Sequence, residues 1–262
     1  MKKNPFFSIL TASLNNGSSI RQTIESIRCQ TFQSLEHIVI DGKSQDTTCD
    51  ILREYENTYK LFWLSEPDKG IAEALNKGLK LAKGNYVFVL GADDFFIDCN
   101  TLNNAYEIIR DQRYDIYSSP VIVDHPTRGK FYYKPLRLLW WYHFKTIFPH
   151  QGTFVHKRVF DKVHEFRENI SIAFDYDFFY RVLKYHPSIR FGSAPIAIMS
   201  GAGVSGNLRF LIKRLNEEYF IQNLNETNPV WRFFQRIFRA MYLPYKTQLL
   251  PRVKKISRSL LN

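Results

Sequence analysis

One unit is written three times at the start of the chain: a short apolar run, a loop of turn-forming residues, and a stretch with helical spacing. Phe6 to Ala12 leads through Ser13-Leu14-Asn15-Asn16-Gly17 to a helix over about Ile20 to Gln30, capped by Ser18 or Ser19, with Ile20, Ile24 and Ile27 on one face. His37 to Ile40 leads through Asp41-Gly42-Lys43-Ser44-Gln45-Asp46 to a helix from about Cys49 to Asn57. Leu61 to Leu64 leads through Ser65-Glu66-Pro67-Asp68-Lys69-Gly70 to a helix from about Ile71 to Ala82. A fourth apolar run, Tyr86 to Leu90, rich in β-branched and aromatic residues, ends in Gly91-Ala92-Asp93-Asp94. Such alternation predicts an α/β fold with a mainly parallel central sheet, because a strand rejoins its neighbour in parallel only through a right-handed crossover. Every loop that follows a strand then emerges at one sheet edge, where open α/β sheets bind their ligands.

Those loops suit an anionic ligand. The adjacent carboxylates Asp93 and Asp94 suit a hard divalent cation, which in turn suits a diphosphate. Asp41 and Asp68 each follow a strand, and a carboxylate there can accept hydrogen bonds from a nucleobase or ribose. Lys69 or Lys77 can neutralise phosphate. Each has a plainer reading: a turn at Asp41-Gly42, a helix cap at Asp46, a solvated acidic turn at Asp93-Asp94. Neither a GxGxxG nor a GxxxxGK[ST] pattern is present, so the usual dinucleotide fold and the P-loop are not supported. A net charge of +11 calls for an anionic partner: nucleic acid, anionic lipid or a phosphorylated substrate. No helix-turn-helix, RNP or zinc pattern supports nucleic acid. Cys29, Cys49 and Cys99 are few, odd in number and not in CxxC spacing; neither a disulfide framework nor a zinc site is expected, and a reducing cytoplasm fits. The N-terminal apolar run reads as a first strand rather than a secretory segment, and no run of about 18 apolar residues predicts a membrane span.

The second half adds a strand pair within Tyr114 to Val123, a turn at Asp124-His125-Pro126, a strand at Phe131 to Tyr133, and a strand at about Ile196 to Ser200 before the glycine-rich loop 201–206. Leu136 to Phe148 is apolar and aromatic but interrupted by Arg137, His143 and Lys145; it reads as a core helix or as a segment at a membrane interface. In Phe174-Asp175-Tyr176-Asp177, Asp175 suits a helix cap and Asp177 an ion pair with Arg181 four residues on. Positions i and i+2 point to nearly opposite sides of a helix, so at most one of these carboxylates faces a cleft.

Three runs carry a resemblance: FSILTASLN from Phe7, HIVIDGKSQDTT from His37, and SEPDKGIAEALNKGLKLAKGNYVFVLGADD from Ser65. They resemble the family 2 glycosyltransferases of the GT-A fold, in particular bacterial members that build surface polysaccharides, over about residues 5 to 205. The resemblance implies a nucleoside pocket lined by Thr11, Ser13 and Asp41, with Asp68 and Lys69 near the nucleotide and diphosphate. It implies Asp93 as the ligand of a divalent cation (Mn²⁺ or Mg²⁺) and Asp94 beside the donor sugar. It places His150 and Gln151 on the acceptor or diphosphate side, and makes Asp175 the general base, with Asp177 a lesser candidate. The donor would be a nucleotide sugar, transferred with inversion. The sequence departs from the family pattern at Gly91, where a D-x-D motif has its first acid, which leaves the metal fewer protein ligands.

From residue 207 onward the character changes. Eleven Lys and Arg face only Glu217, Glu218 and Glu226, so +8 of the +11 lies here. Asn207 to Leu224 and Trp231 to Leu243 have helical spacing, the second with Arg232, Arg236 and Arg239 on one face. The reading is a catalytic domain over 1–206 and a basic, amphipathic helical extension over 207–262. The extension would attach the enzyme to the anionic inner face of the cell membrane beside a lipid-linked saccharide acceptor. A helix packed on the domain with a solvated basic face is the plainer reading. A non-catalytic nucleotide-binding membrane module is the alternative function, and Gly91 is the feature that favours it.

Overall fold

The computed structural model describes residues 4–111, 114–201 and 210–246. The alternation folds as expected: β1 (Phe7–Ser13), α1 (Ile20–Arg28), β2 (Leu35–Asp41), α2 (Thr48–Tyr55), β3 (Leu61–Ser65), α3 (Ile71–Leu81) and β4 (Tyr86–Val89). β1 pairs in parallel with β2 on one side and β4 on the other, and β2 pairs in parallel with β3. The chain therefore builds outward in one direction from β1 and then crosses back, which makes the gap between β1 and β4 the topological switch point. Beyond β4 the main sheet continues through β9 (Thr153–His156), antiparallel to both its neighbours, then β6 (Ile116–Ser118) and β10 (Ile189–Phe191).

Two-residue periodicity sorts the strand side chains onto two cores. Leu10, Ile38, Ile40 and Val87 pack with Ala72, Leu75 and Leu79 of α3. Phe7, Ile9 and Phe88 pack on the other face with Phe154 of β9, the Phe88 and Phe154 rings 4.4 Å apart.

A second, four-stranded sheet has the order β5 (Phe95–Phe96), β11 (Ala197–Ser200), β7 (Val121–His125), β8 (Gly129–Tyr133). β5 follows β4, and β7 follows β6, with only a short turn between, so this sheet grows out of the carboxyl edge of the first. The turn expected at Asp124 starts later: β7 runs through His125 and pairs back on β8. The remaining helices are α4 (Thr101–Ile109), α5 (Lys157–Val163), α6 (Phe174–Leu183), α7 (Leu211–Asn225) and α8 (Pro229–Pro244).

Two expectations are corrected. Leu136 to Phe148 is not a core helix; it is a loop closed by the Leu136 N–H donating to Ile147 O at 2.8 Å, with one 3-10 turn at Leu139–His143. His143, Phe144, Ile147 and Phe148 are buried while Leu138, Leu139 and Trp140 are exposed, so the segment is half core and half surface. Cys29 and Cys99 form a disulfide with their Cα atoms 5.2 Å apart. Their spacing in the sequence hides this, because the pairing is set by how the loop before α4 docks on the end of α1. Gln30 Nε2 donates to Asp98 O (2.7 Å), the Leu102 N–H to Gln30 Oε1 (2.9 Å) and the Thr31 N–H to Cys99 O (2.8 Å). The glycine-rich loop beyond Gly201, the start of the extension and the basic tail beyond Lys246 lie outside the described residues.

Candidate active site

At the switch point the strand ends and the chain turns sharply. The Leu90 N–H donates to Leu10 O (3.0 Å), and the Asp94 N–H donates back to Gly91 O (3.1 Å). This turn sends the two carboxylates apart: Asp93 is exposed and Asp94 is buried. Asp94 accepts from the backbone N–H of Ser200 (2.8 Å) and of Gly91 (3.2 Å), and from the Gln151 side chain. Burial, reinforced by the charge of Asp93, pushes its carboxyl up to about 7. A Cβ at position 91 would stand 2.5 Å from Asp94 Oδ2. The glycine that replaces the first acid of the motif is thus what lets the Asp94 carboxylate fold back on its own turn.

Among the described residues no three His, Cys, Asp or Glu groups gather as a metal cage. Asp93 by itself fits a smaller task. Mg²⁺-like ions accept one or two carboxylates and take their other oxygens from phosphates and water, and Asp93 at the rim of the switch point offers a carboxylate of that kind.

The flanking loops are organised by Asp41. It is fully buried and accepts from the Ser44 N–H (2.9 Å), the Ser44 hydroxyl, the Ser65 hydroxyl (2.7 Å) and Cys49 Sγ (3.4 Å). Thr11 is buried as well; its hydroxyl donates to Leu90 O (2.8 Å) and lies 3.0 Å from His37 Nε2. Ser13 is buried with its hydroxyl 3.4 Å from Asn16 Oδ1. These three fix the crevice floor. Asp68 is only half-buried and accepts from the Gly70 N–H at 2.9 Å; burial raises its carboxyl. It abuts the Asp41 loop, since a Cβ on Gly42 would meet Asp68 Oδ2 at 2.8 Å. Lys69 is exposed, whereas Lys77 is held by Glu66 (2.9 Å) and Glu73 (3.2 Å). Of the two lysines, Lys69 is the one that no such ion pair holds away from a phosphate.

Asp175 stands on the first turn of α6. The cap position there is Ala173, which has no side-chain acceptor of its own. Glu217 of α7 supplies one: its carboxylate accepts from the N–H groups of Ser171 (3.2 Å), Ile172 (2.8 Å) and Ala173 (2.9 Å) and from the Ser171 hydroxyl (2.7 Å). Burial alone would raise the Glu217 carboxyl, but these bonds outweigh it and hold it below its ordinary value. Capping from outside leaves Asp175 free of that duty. It accepts from the adjacent Tyr176 N–H (2.7 Å), and burial raises it to about 6, with Glu218 adding to the shift. Asp177 is spent structurally: it is fully buried and pairs with Arg167 (2.5 Å), Arg181 (3.0 Å) and Asn225 Nδ2 (2.9 Å).

The His150-Gln151 pair divides. His150 lies among the rings of Phe166, Phe174 and Phe179, and burial pushes it down to about 4, so it is neutral and brings no positive charge to a phosphate. Gln151 reaches Asp94. The small sheet joins the two acidic centres: Ser200 of β11 holds Asp94, and Tyr133 of β8 feels the charge of Asp175. Ser200, Glu217 and Glu218 were not legible as site residues. Nothing in their local sequence marks them, and their roles depend on partners far along the chain.

A mainly parallel sheet with an acidic pair at its switch point, a floor of buried polar loops, and a partly desolvated carboxylate at a nearby helix start define the GT-A class of α/β transferase fold. The family model described as "Glycosyl transferase family 2" matches residues 8–181, and the chain belongs to that family. It is 28% identical over 187 residues to an uncharacterized glycosyltransferase of Mycobacterium tuberculosis, covering 69% of this chain and 70% of the relative. It is 28% identical over 178 residues to a PGL/p-HBAD biosynthesis glycosyltransferase of Mycobacterium bovis BCG, covering 66% and 68%. A shorter match, 31% over 112 residues covering 43% and 45%, is to the UDP-Glc:alpha-D-GlcNAc-diphosphoundecaprenol beta-1,3-glucosyltransferase of Escherichia coli. Two solved structures share the fold. The mannosyltransferase from Pyrobaculum calidifontis in complex with GDP-Man and Mn²⁺ has a TM-score of 0.68 at 16% identity, covering 99% of this chain and 81% of that one. TarS 1-349 of S. aureus in complex with UDP-GlcNAc has 0.64 at 19%, and that match covers 74% of this chain and little more than half, 58%, of that one.

Proposed function

We propose that this glycosyltransferase moves a sugar, with inversion, from a nucleoside-diphosphate sugar to a hydroxyl of a lipid-linked saccharide in surface polysaccharide synthesis. The observation that carries the reading is Asp175: a carboxylate raised toward neutrality, relieved of capping by Glu217, beside the sheet that also holds Asp94. An acceptor hydroxyl is a weak nucleophile and needs a base within hydrogen-bond reach. Asp175 takes its proton as the oxygen attacks the anomeric carbon from the side opposite the diphosphate. The anomeric carbon–oxygen bond breaks, and its electron pair leaves with the nucleoside diphosphate. One carboxylate suffices, because no covalent sugar intermediate forms.

A divalent cation, Mn²⁺ or Mg²⁺, bound at Asp93 would stabilise the charge developing on the leaving diphosphate. Asp94, held by Ser200 and Gln151, faces the same turn and is the residue for the donor sugar; Asp68 and Lys69 take the nucleotide side. Nucleotide-sugar complexes of the fold relatives support the donor class, and the undecaprenol-linked acceptor in the name of the Escherichia coli relative supports the acceptor class.

The test is release of UDP or GDP from nucleotide sugars in the presence of acceptor, by wild type and by Asp175→Asn. Loss of release in the variant supports the assignment. Equal release by both removes Asp175 as base, and no release by either points to the binding-module alternative.

A further inference from the structure

α8 presents three faces. Trp231, Gln235, Phe238 and Tyr242 turn inward: Trp231 stacks on His143 at 4.0 Å, Gln235 Nε2 donates to His143 O at 2.7 Å, and Phe238 meets Phe144 at 5.1 Å. The arginines hold a second face, and two of them are tied to the protein. Arg239 lies over the Tyr219 ring at 4.1 Å and donates to Leu215 O, while Arg232 Nε donates to Glu226 O at 2.8 Å. The third face is apolar and bare. Val230, Phe233, Phe234, Ile237 and Met241 recur at helical spacing, and all are exposed, Phe233 by 60% and Met241 by 71%. The bare face does not stop at the helix: Trp231 is 6.4 Å from Phe234 and stacks at 6.2 Å on the exposed Trp140 of the 3-10 turn, next to exposed Leu138 and Leu139.

We propose that this face seats on an anionic lipid bilayer, with the stripe of α8 and Trp140 entering the boundary between headgroups and acyl chains. A contiguous exposed apolar face of this extent marks an interaction surface. Charge complementarity decides the occupant: from Thr227 to the end the chain carries eight Lys and Arg and no acidic residue. An apolar stripe flanked by arginines, with Trp at its edge, is the composition of an interfacial helix. The apolar stripe supplies insertion, and Arg236 with the untied guanidinium nitrogens of Arg232 meets the headgroups. The proposal deepens the glycosyltransferase reading by stating where a lipid-linked acceptor is presented. The same block that turns the stripe outward holds α6 through the Tyr176 hydroxyl donating to Tyr142 O (3.0 Å) and holds α7 through Gln222 Nε2 donating to Phe144 O (3.0 Å), so the seat fixes the helix that carries Asp175 relative to the lipid surface.

The experiment is co-sedimentation of the full chain with vesicles of phosphatidylcholine alone and of phosphatidylcholine mixed with phosphatidylglycerol, with tryptophan emission as a second readout. Binding to the anionic vesicles with a blue shift is expected. The double variant Phe233→Ser, Ile237→Ser should lose about tenfold or more of that binding while keeping the wild-type melting temperature and the thermal shift with nucleoside diphosphate. Wild type left in the supernatant with both vesicles, equal binding of the double variant, or equal binding to neutral vesicles would each overturn the proposal. So would a wild-type dimer that the variant dissociates without any vesicle binding, since the stripe would then be a self-interface. Vesicle binding without any nucleotide shift would leave this proposal standing and count against the nucleotide-sugar reading.

Discussion

Ionised Asp175 is a burden to the folded chain. Its folded value of about 6 lies above the unfolded value near 3.8, so the folded state holds the proton more tightly. Stability therefore falls as pH rises between those values, by roughly 3 kcal/mol at most. Asp175→Asn should then melt no lower than wild type at pH 7 while kcat drops about 10²- to 10⁴-fold; a melting curve beside a turnover assay checks both. For wild type, kcat/KM should fall as pH drops through about 6, where the base is protonated. Position 91 gives a second residue-scale prediction. Restoring the acid of the motif by Gly91→Asp should lower the melting temperature and not raise Mn²⁺ affinity, because its Cβ would stand 2.5 Å from Asp94 Oδ2. Calorimetry with Mn²⁺ and UDP or GDP reads the outcome, and a gain in affinity would refute the account of Gly91.

Helix α6 depends on a cap supplied by α7. Glu217→Ala removes the acceptor for three backbone N–H groups and should cost about 1–2 kcal/mol, with kcat reduced more than donor KM because the first turn carries Asp175. Glu217→Gln keeps an acceptor and should recover part of both; a variant series in which stability falls and kcat does not would show that the cap leaves Asp175 undisturbed. The junction of α1 with the loop before α4 is a second element-scale case. Cys29 and Cys99 close a loop across a sequence separation of 70 residues, and a cross-link of that span typically contributes about 2–4 kcal/mol. Dithiothreitol should lower the melting temperature of wild type and leave Cys29→Ser, Cys99→Ser unchanged.

At the scale of the whole molecule, the main sheet carries the turn with Asp93 and Asp94, and the second sheet joins it to the region of Asp175. A nucleoside diphosphate that binds only the folded state should raise the melting temperature, and more so with Mn²⁺ or Mg²⁺. A thermal-shift screen of UDP, GDP, dTDP and CMP with and without metal checks this, and a shift indifferent to metal would remove the cation from the proposal. No helix among the described residues is long and apolar enough to cross a membrane.

The repeated strand, turn and helix units were legible in the sequence because period and turn chemistry are local: each unit states itself within a few residues. The turn at Asp93-Asp94, the helix start at Asp175 and the Asp177–Arg181 pair four residues apart were legible for the same reason. Packing alone decided which carboxylate is tied up and which is left open. Asp177 is claimed by Arg167, Arg181 and Asn225 and Asp175 is not; Asp94 is buried and bonded by the Ser200 N–H, 106 residues away, and Asp93 is left exposed. The disulfide, the cap from Glu217 and the outward turn of the α8 stripe are likewise products of distant segments meeting. A carboxylate's protonation, a cap in trans and an exposed face are all set by the neighbours that tertiary structure brings, and those neighbours are not adjacent in the chain.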